Sequence, residues 1–219
     1  MNVFDILGPV MIGPSSSHTA GAARIGLVAH ALLGTPAVRA EILLHGSFAK
    51  TYKGHGTDKA LIAGIMGMEP DDVRIREAPE LARKSGISVT ISTGEIEGAH
   101  PNTARVTLTD AAGRTISVVG SSVGGGNILV SSVNGMDVSF TGQHTTLIVL
   151  HRDTPGIIAE VTEVLGEAGV NICNFRLSRQ KRGGEAVMTI ELEGKSKSNL
   201  NEKIRALPNV YSSTMLPPI

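Results

Sequence analysis

From Ala22 to Leu33 the chain is almost continuously apolar, with Ala23, Ile25, Leu27, Val28, Ala31 and Leu32. A run of this length without alternation predicts a largely buried helix. The preceding Ser15-Ser16-Ser17-His18-Thr19 stretch supplies hydroxyls of the kind that cap free N–H groups at a helix start. Pro36 breaks the pattern, and Val38 to His45 reads as a strand. A polar, glycine-rich stretch around Lys53-Gly54-His55-Gly56 follows. Thr57 or Asp58 is then placed to cap a second helix through Gly67, with Leu61, Ile62 and Ile65 at helical spacing. A third, more polar helix is expected from about Arg76 to Lys84, ended by Gly86.

At Ile87 the period changes to two. Ile87, Val89 and Ile91 alternate with Ser88, Thr90 and Ser92, and Val106 and Leu108 repeat the alternation. Asp110-Ala111-Ala112-Gly113 reads as a turn, followed by strands over Arg114 to Gly120, Ile128 to Val133 and Met136 to Phe140. The last two flank Asn134-Gly135, a strong hairpin signal. This half is expected to be helices on a mixed or antiparallel sheet, an α/β sandwich within an α+β chain. Near Gly142 the character changes. Thr145 to His151 reads as a strand, and Thr154-Pro155 as a cap with proline at the first helical position. The helix carries Ile158, Val161 and Leu165. Strands from Val170 to Ser178 and from Glu185 to Glu193 flank a Lys181-to-Gly184 turn. Ser198 is expected to cap a helix with Leu200, Ile204 and Leu207, ahead of a last strand from Val210 to Leu216. The order is βαββαβ, a ferredoxin-like unit. The expected domains are therefore 1–142 and 145–219.

Length and composition narrow the classes. A chain of 219 residues is comfortable for two small domains. Twenty basic side chains balance twenty acidic ones, which argues against nucleic-acid binding through phosphate neutralisation. Aromatic residues make up only 3% and tryptophan is absent, weakening any case for stacked bases. No 18-residue apolar run is present, and Met1 to Met11 lacks the basic start of a secretion signal, so a cytoplasmic protein is expected. The single cysteine, Cys173, excludes an internal disulfide and any iron–sulfur cluster ligated wholly by this chain's cysteines. It falls in an apolar strand and is expected to be a core residue.

Six of the seven histidines precede residue 145, so the chemistry is expected in the first half. Ser15, Ser16, Ser17, His18 and Thr19 would gather hydroxyls, an imidazole and helix-terminal N–H groups, which suits a carboxylate or other small anion. His45-Gly46-Ser47, Gly54-His55-Gly56-Thr57-Asp58 and His100-Pro101-Asn102 each sit at an element boundary, where open sheets hold ligands. A shared pocket is expected. No paired-histidine helix motif accompanies these histidines, so no metal site is expected in this chain. Gly124-Gly125-Gly126 lacks the lysine of a phosphate loop and reads as a flexible turn. In the second half, Asp153-Thr154-Pro155-Gly156 and Gly169-Val170-Asn171-Ile172 join strand to helix and helix to strand. Asp153 and helix N–H groups suit a free amino acid, and routine turns explain the same residues.

Asp5-Ile6-Leu7-Gly8-Pro9, the Gly13-to-Gly21 run, Gly54-to-Asp58 and His100-Pro101-Asn102 together resemble the beta chain of bacterial two-chain iron–sulfur L-serine dehydratases. Asp153-x-Pro155-Gly156 and Gly169-x-Asn171-Ile172 resemble an ACT domain, a regulatory module that commonly binds amino acids. The resemblance implies a lyase that takes L-serine to pyruvate and ammonia. It implies an oxygen-sensitive [4Fe-4S] cluster serving as Lewis acid, held by a separate alpha chain. It also implies a first domain similar to the allosteric substrate-binding domain of some phosphoglycerate dehydrogenases. Carried over by motif, Ser15, Ser16, Ser17, Thr19 and Asn102 would bind substrate, and His18, Ser17 and His55 would serve catalysis. Asp153, Pro155, Gly156, Asn171 and Ile172 would hold an amino-acid ligand. Self-association through the ACT or the first domain is expected. The alternative is a stand-alone amino-acid-binding regulatory protein without catalysis.

Overall fold

A computed structural model describes residues 15–193 and 199–218. Asp5-to-Pro9, Gly13, Pro14 and the expected cap at Ser198 lie outside the described residues. The chain divides into two compact units between Asn134 and Gly135.

In the first unit the serine-rich run is itself helical. Ser16–Gly21 forms a π-helical turn that runs straight into α1 (Ala22–Leu33). The expected capping role therefore falls to Ser15 alone, whose hydroxyl accepts the His18 N–H. Strand β1 (Ala37–Leu44) leads into α2 (Gly46–His55), which the polar stretch around Lys53 conceals because Phe48 is its only buried residue. Gly56, at φ 70°, ends α2 and opens α3 (Thr57–Ile65), so neither Thr57 nor Asp58 caps that helix with its side chain. A 3-10 turn (Val73–Glu77) precedes α4 (Ala78–Lys84). The strands are β2 (Ser88–Thr93), β3 (Thr103–Asp110), β4 (Thr115–Gly124) and β5 (Asn127–Val133), then β6 (Met136–Phe140) beyond the division. Within the first unit the mixed sheet has the order β2-β1-β3-β4-β5. Its β1–β2 pair is parallel, with the three helices as crossover, and β1–β3, β3–β4 and β4–β5 are antiparallel.

Two helices meet here at unusually short range. A Cβ on Gly26 would collide with the Leu61 carbonyl, and one on Gly64 with the Ala23 carbonyl. The paired glycines let α1 and α3 touch backbone to backbone, which fixes the start of α3 relative to the π turn. The Asp110 turn is built as the sequence suggests: its carboxylate accepts the Ala112 and Arg114 N–H groups, the Thr35 hydroxyl and Arg114 Nε.

The second unit contains β7 (Thr145–Arg152), α5 (Ile157–Glu167), β8 (Asn171–Arg179), β9 (Glu185–Glu193), α6 (Leu200–Arg205) and β10 (Val210–Leu216). Its sheet order is β10-β7-β9-β8 with every pairing antiparallel, the βαββαβ arrangement expected. Leu147, Val149, Val161, Leu165, Met188 and Ile190 form its apolar core. Thr154 and Pro155 fall short of the helix they were expected to begin. Gly156, at φ 93°, is the residue before α5, and the Thr154 hydroxyl turns back to the Arg152 carbonyl. Cys173 is exposed rather than buried, because β8 is an edge strand most of whose residues remain exposed. No helix among the described residues is long and apolar enough to cross a membrane.

Candidate functional site

The π turn widens the helix start by one residue per hydrogen-bonded ring, and such turns recur where side chains converge. Here it buries His18 and Thr19. The His18 ring sits between two hydroxyls, with Nδ1 3.4 Å from Ser15 Oγ and Nε2 3.4 Å from Ser47 Oγ. Its faces and edges meet Phe48, centroids 5.2 Å apart, and His55, 4.7 Å apart and nearly perpendicular. Burial, reinforced by the nearby His55, pushes the His18 pKa below its ordinary value. This favours the neutral imidazole, which carries one donor and one acceptor nitrogen.

The other motifs reach this imidazole through backbone. Gly46, at φ 57°, packs so close to Pro101 that a Cβ would lie 2.5 Å from its carbonyl oxygen. That oxygen accepts the Ser47 N–H at 2.7 Å, tying the His100-Pro101-Asn102 loop to the helix that presents Ser47 and Phe48. The Asn102 carbonyl accepts the Ser122 N–H at 2.9 Å. A Cβ on Gly21 would collide with the Ser122 hydroxyl, so the π turn, Ser122 and Asn102 are also neighbours.

Of the four histidines read as one pocket, the structure brings two together. The His45 ring faces away, its Nδ1 accepting the Ile96 N–H, and exposed His100 accepts the Asn102 N–H. Both serve loop structure. Asn102 is half-buried beside the site, whereas Ser16 and Ser17 are half-buried members of the π turn.

Three buried hydroxyls complete the region: Thr19 Oγ1, Thr57 Oγ1 and Ser122 Oγ have no hydrogen-bond partner among the described residues. Unpaired buried hydroxyls are rare because each costs about 1–3 kcal/mol, and these three leave hydrogen-bonding capacity unused among the described residues. Arg24, one turn into α1, adds a guanidinium whose Nη1 donates to the Gly126 carbonyl at 2.6 Å while Nε is unpaired among the described residues. Burial lowers its pKa, against a smaller opposing pull from Glu69. Ser122 and Arg24 were missed from sequence. The run Gly120-Ser121-Ser122, which breaks the apolar alternation of β4, was the available signal. No group of three or more His, Cys, Asp or Glu side chains gathers among the described residues.

In the second unit the candidate ligand residues do not meet. Asp153 Oδ2 accepts Gly183 N–H and Arg179 Nη1, and these bonds hold its carboxyl below the usual range. Pro155 and Gly156 lie beside it. Asn171 and Ile172 start β8, where Asn171 Nδ2 donates to Glu193 at 2.8 Å and Ile172 pairs Leu192. Because β7 and β8 both run antiparallel to β9, Asp153 and Asn171 lie at opposite ends of the sheet, a strand length of roughly 25 Å.

Comparison with known proteins bears on both units. Residues 2–97 match the family model "Serine dehydratase beta chain" and residues 145–209 match "ACT domain". A "Probable L-serine dehydratase, beta chain" of Bacillus subtilis is 41% identical over 215 residues, covering 98% of this chain and 97% of that one. An "L-serine dehydratase, beta chain" of Peptoniphilus asaccharolyticus is 37% identical over 193 residues, 88% of this chain and 87% of that one. A D-3-phosphoglycerate dehydrogenase of Methanocaldococcus jannaschii is 28% identical over 173 residues, 78% of this chain and 32% of that enzyme.

Proposed function

Because the chain belongs to the family of L-serine dehydratase beta chains, we propose that it is the beta subunit of an L-serine ammonia-lyase, forming pyruvate and ammonia together with an alpha chain. The observation that carries this reading is the buried His18, clasped by Ser15 and Ser47 against His55 beside buried hydroxyls that have no partner among the described residues. Serine brings a carboxylate, an ammonium and a hydroxyl, and this region offers polar groups for each. The hydroxyls of Ser15, Ser16, Ser17 and Thr19, with N–H groups at the start of the π turn, hold the carboxylate. His18 hydrogen-bonds the substrate and moves a proton, with His55 and Ser17 adjacent and Asn102 shaping the rim.

The donor set of this chain does not suit an iron–sulfur cluster: its one cysteine lies exposed on β8. The [4Fe-4S] cluster of the holoenzyme is accordingly assigned to the alpha chain, and the cytoplasm is the expected compartment. The regulatory module begins at Thr145, after a catalytic portion that runs to Gly142. Its ligand residues support self-association. Antiparallel pairing of two copies of β8 would carry Asn171 of the partner subunit toward the Asp153 end, completing a site that one chain leaves divided.

The test is anaerobic pyruvate formation from L-serine, using this chain alone, the cluster-bearing candidate partner alone, and both. Activity in the mixture only, lost in air, is expected. An inactive mixture, with the cluster intact and the chains associated, would replace this reading with a stand-alone amino-acid sensor.

A further inference from the structure

Outside the His18 region, a cleft of about 400 Å³ opens between α3, α4 and the edge strand β2. Its volume falls within the range of small-molecule sites, roughly 300–1,000 Å³. Its lining is mostly apolar, with Ile62, Ile87, Val89 and Ile91, and Asp58 and Arg83 bring opposite charges to it. Asp58 uses Oδ1 to accept the Lys59 N–H, and its Oδ2 has no partner among the described residues. Arg83 is oriented by Glu80, which takes Nε at 3.0 Å and Nη2 at 2.8 Å. Nη1 has no partner among the described residues. A carboxylate and a guanidinium with one face each left over, in a lining otherwise rich in branched aliphatic side chains, match a ligand with both charges on one carbon and an apolar side chain.

We propose that this cleft binds a free L-α-amino acid with a branched apolar side chain, its ammonium on Asp58 and its carboxylate on Arg83. A fatty acid would pair its carboxylate with Arg83 and leave Asp58 without a partner charge, and a simple amine would pair with Asp58 and leave Arg83 without one. The zwitterion alone satisfies both. The site is separate from Asp153 and lies in the unit that carries His18. Asp58 follows Thr57 and His55 on the same stretch of chain, so an occupant of the cleft contacts the helix start that borders the imidazole pair.

The experiment is calorimetric titration of the full chain with L-leucine, with isoamylamine and isocaproate, which each carry one of its charges, and with neutral N-acetyl-leucine methylamide. Leucine is expected to bind saturably, and the three analogues at least roughly ten-fold more weakly. Arg83→Met and Asp58→Asn are each expected to weaken leucine by a similar factor, whereas Asp153→Ala leaves its affinity unchanged. Arg83 is exposed, so its variant reports on binding even if Asp58→Asn does not fold. No saturable heat up to the solubility limit of leucine overturns the proposal. Loss of leucine binding in Asp153→Ala does so too, by moving the site to the second unit. Equal binding of the neutral amide overturns it by assigning the cleft to an extended peptide on the β2 edge.

Discussion

Four side chains of the first unit, Thr19, Arg24, Thr57 and Ser122, bury polar atoms without partners among the described residues; in the second unit only His151 does so. The candidate ligand residues of the second unit are already engaged, Asp153 with Arg179 and Gly183, and Asn171 with Glu193. The first unit gathers polar groups from three helix starts and a strand into one place. The second distributes its own to opposite ends of a sheet. Closeness in the first unit comes from glycines that let backbones touch, and distance in the second follows from strand direction. The first unit thus leaves buried polar atoms unpaired among the described residues, whereas the second engages its candidate ligand residues at opposite ends of its sheet.

The sharpest way to break this contrast is to remove His18. With the partner chain present, His18→Ala is expected to lower turnover by about 10²- to 10⁴-fold, the range of a general acid or base, while subunit association measured by gel filtration persists. Loss of association with no separable rate effect would make His18 a structural residue. Next in size, Gly64→Ala is expected to destabilise the chain by about 1–3 kcal/mol in a denaturant titration, because its methyl meets the Ala23 carbonyl. In the second unit the same replacement at Gly166, which has open space around it within α5, should stabilise by about 0.4–1 kcal/mol. Equal effects at the two positions would dissolve the packing difference.

A smaller effect concerns pH. Burial alone would raise the Asp110 carboxyl, but bonds from Thr35 and Arg114 outweigh it and hold it at about 2. A depressed folded pKa stabilises above the unfolded value near 3.8 and loses that contribution as pH falls through about 2. Asp110→Asn should therefore unfold at lower urea than the parent at neutral pH, with the gap closing on acidification. A gap that stays constant with pH would show that the carboxylate charge is irrelevant.

Much of this architecture was legible because apolar pattern is a strong signal: β3 alternates, α5 repeats at helical spacing, and β7 and β9 are short, nearly continuous buried runs. The α2 helix was not, since only Phe48 is buried and nothing in Gly46 to His55 repeats. The nature of Ser16–Gly21 was hidden for another reason. Serines read as caps, and only contact with Ser122 and α2 reveals that the run is itself part of the helix. His18 and His55 were chosen for their neighbours in the chain, and they meet at 4.7 Å. His45 and His100 had the same local signature but bond to loop N–H groups, a choice made by tertiary structure. Cys173 was misjudged because strand composition says nothing about which strand ends a sheet.

The π-helical turn can also be understood as a matter of phase. Downstream of it the helix cannot rotate, because Gly21 is wedged on Ser122 and Gly26 on the Leu61 carbonyl. Ser15 is an extended cap on a π turn, so deleting one residue from the serine triplet would change the direction from which its hydroxyl meets His18 Nδ1. The three serines thus act as a counted spacer. Their number sets the angle at which Ser15 faces the imidazole, independently of what any one hydroxyl does chemically.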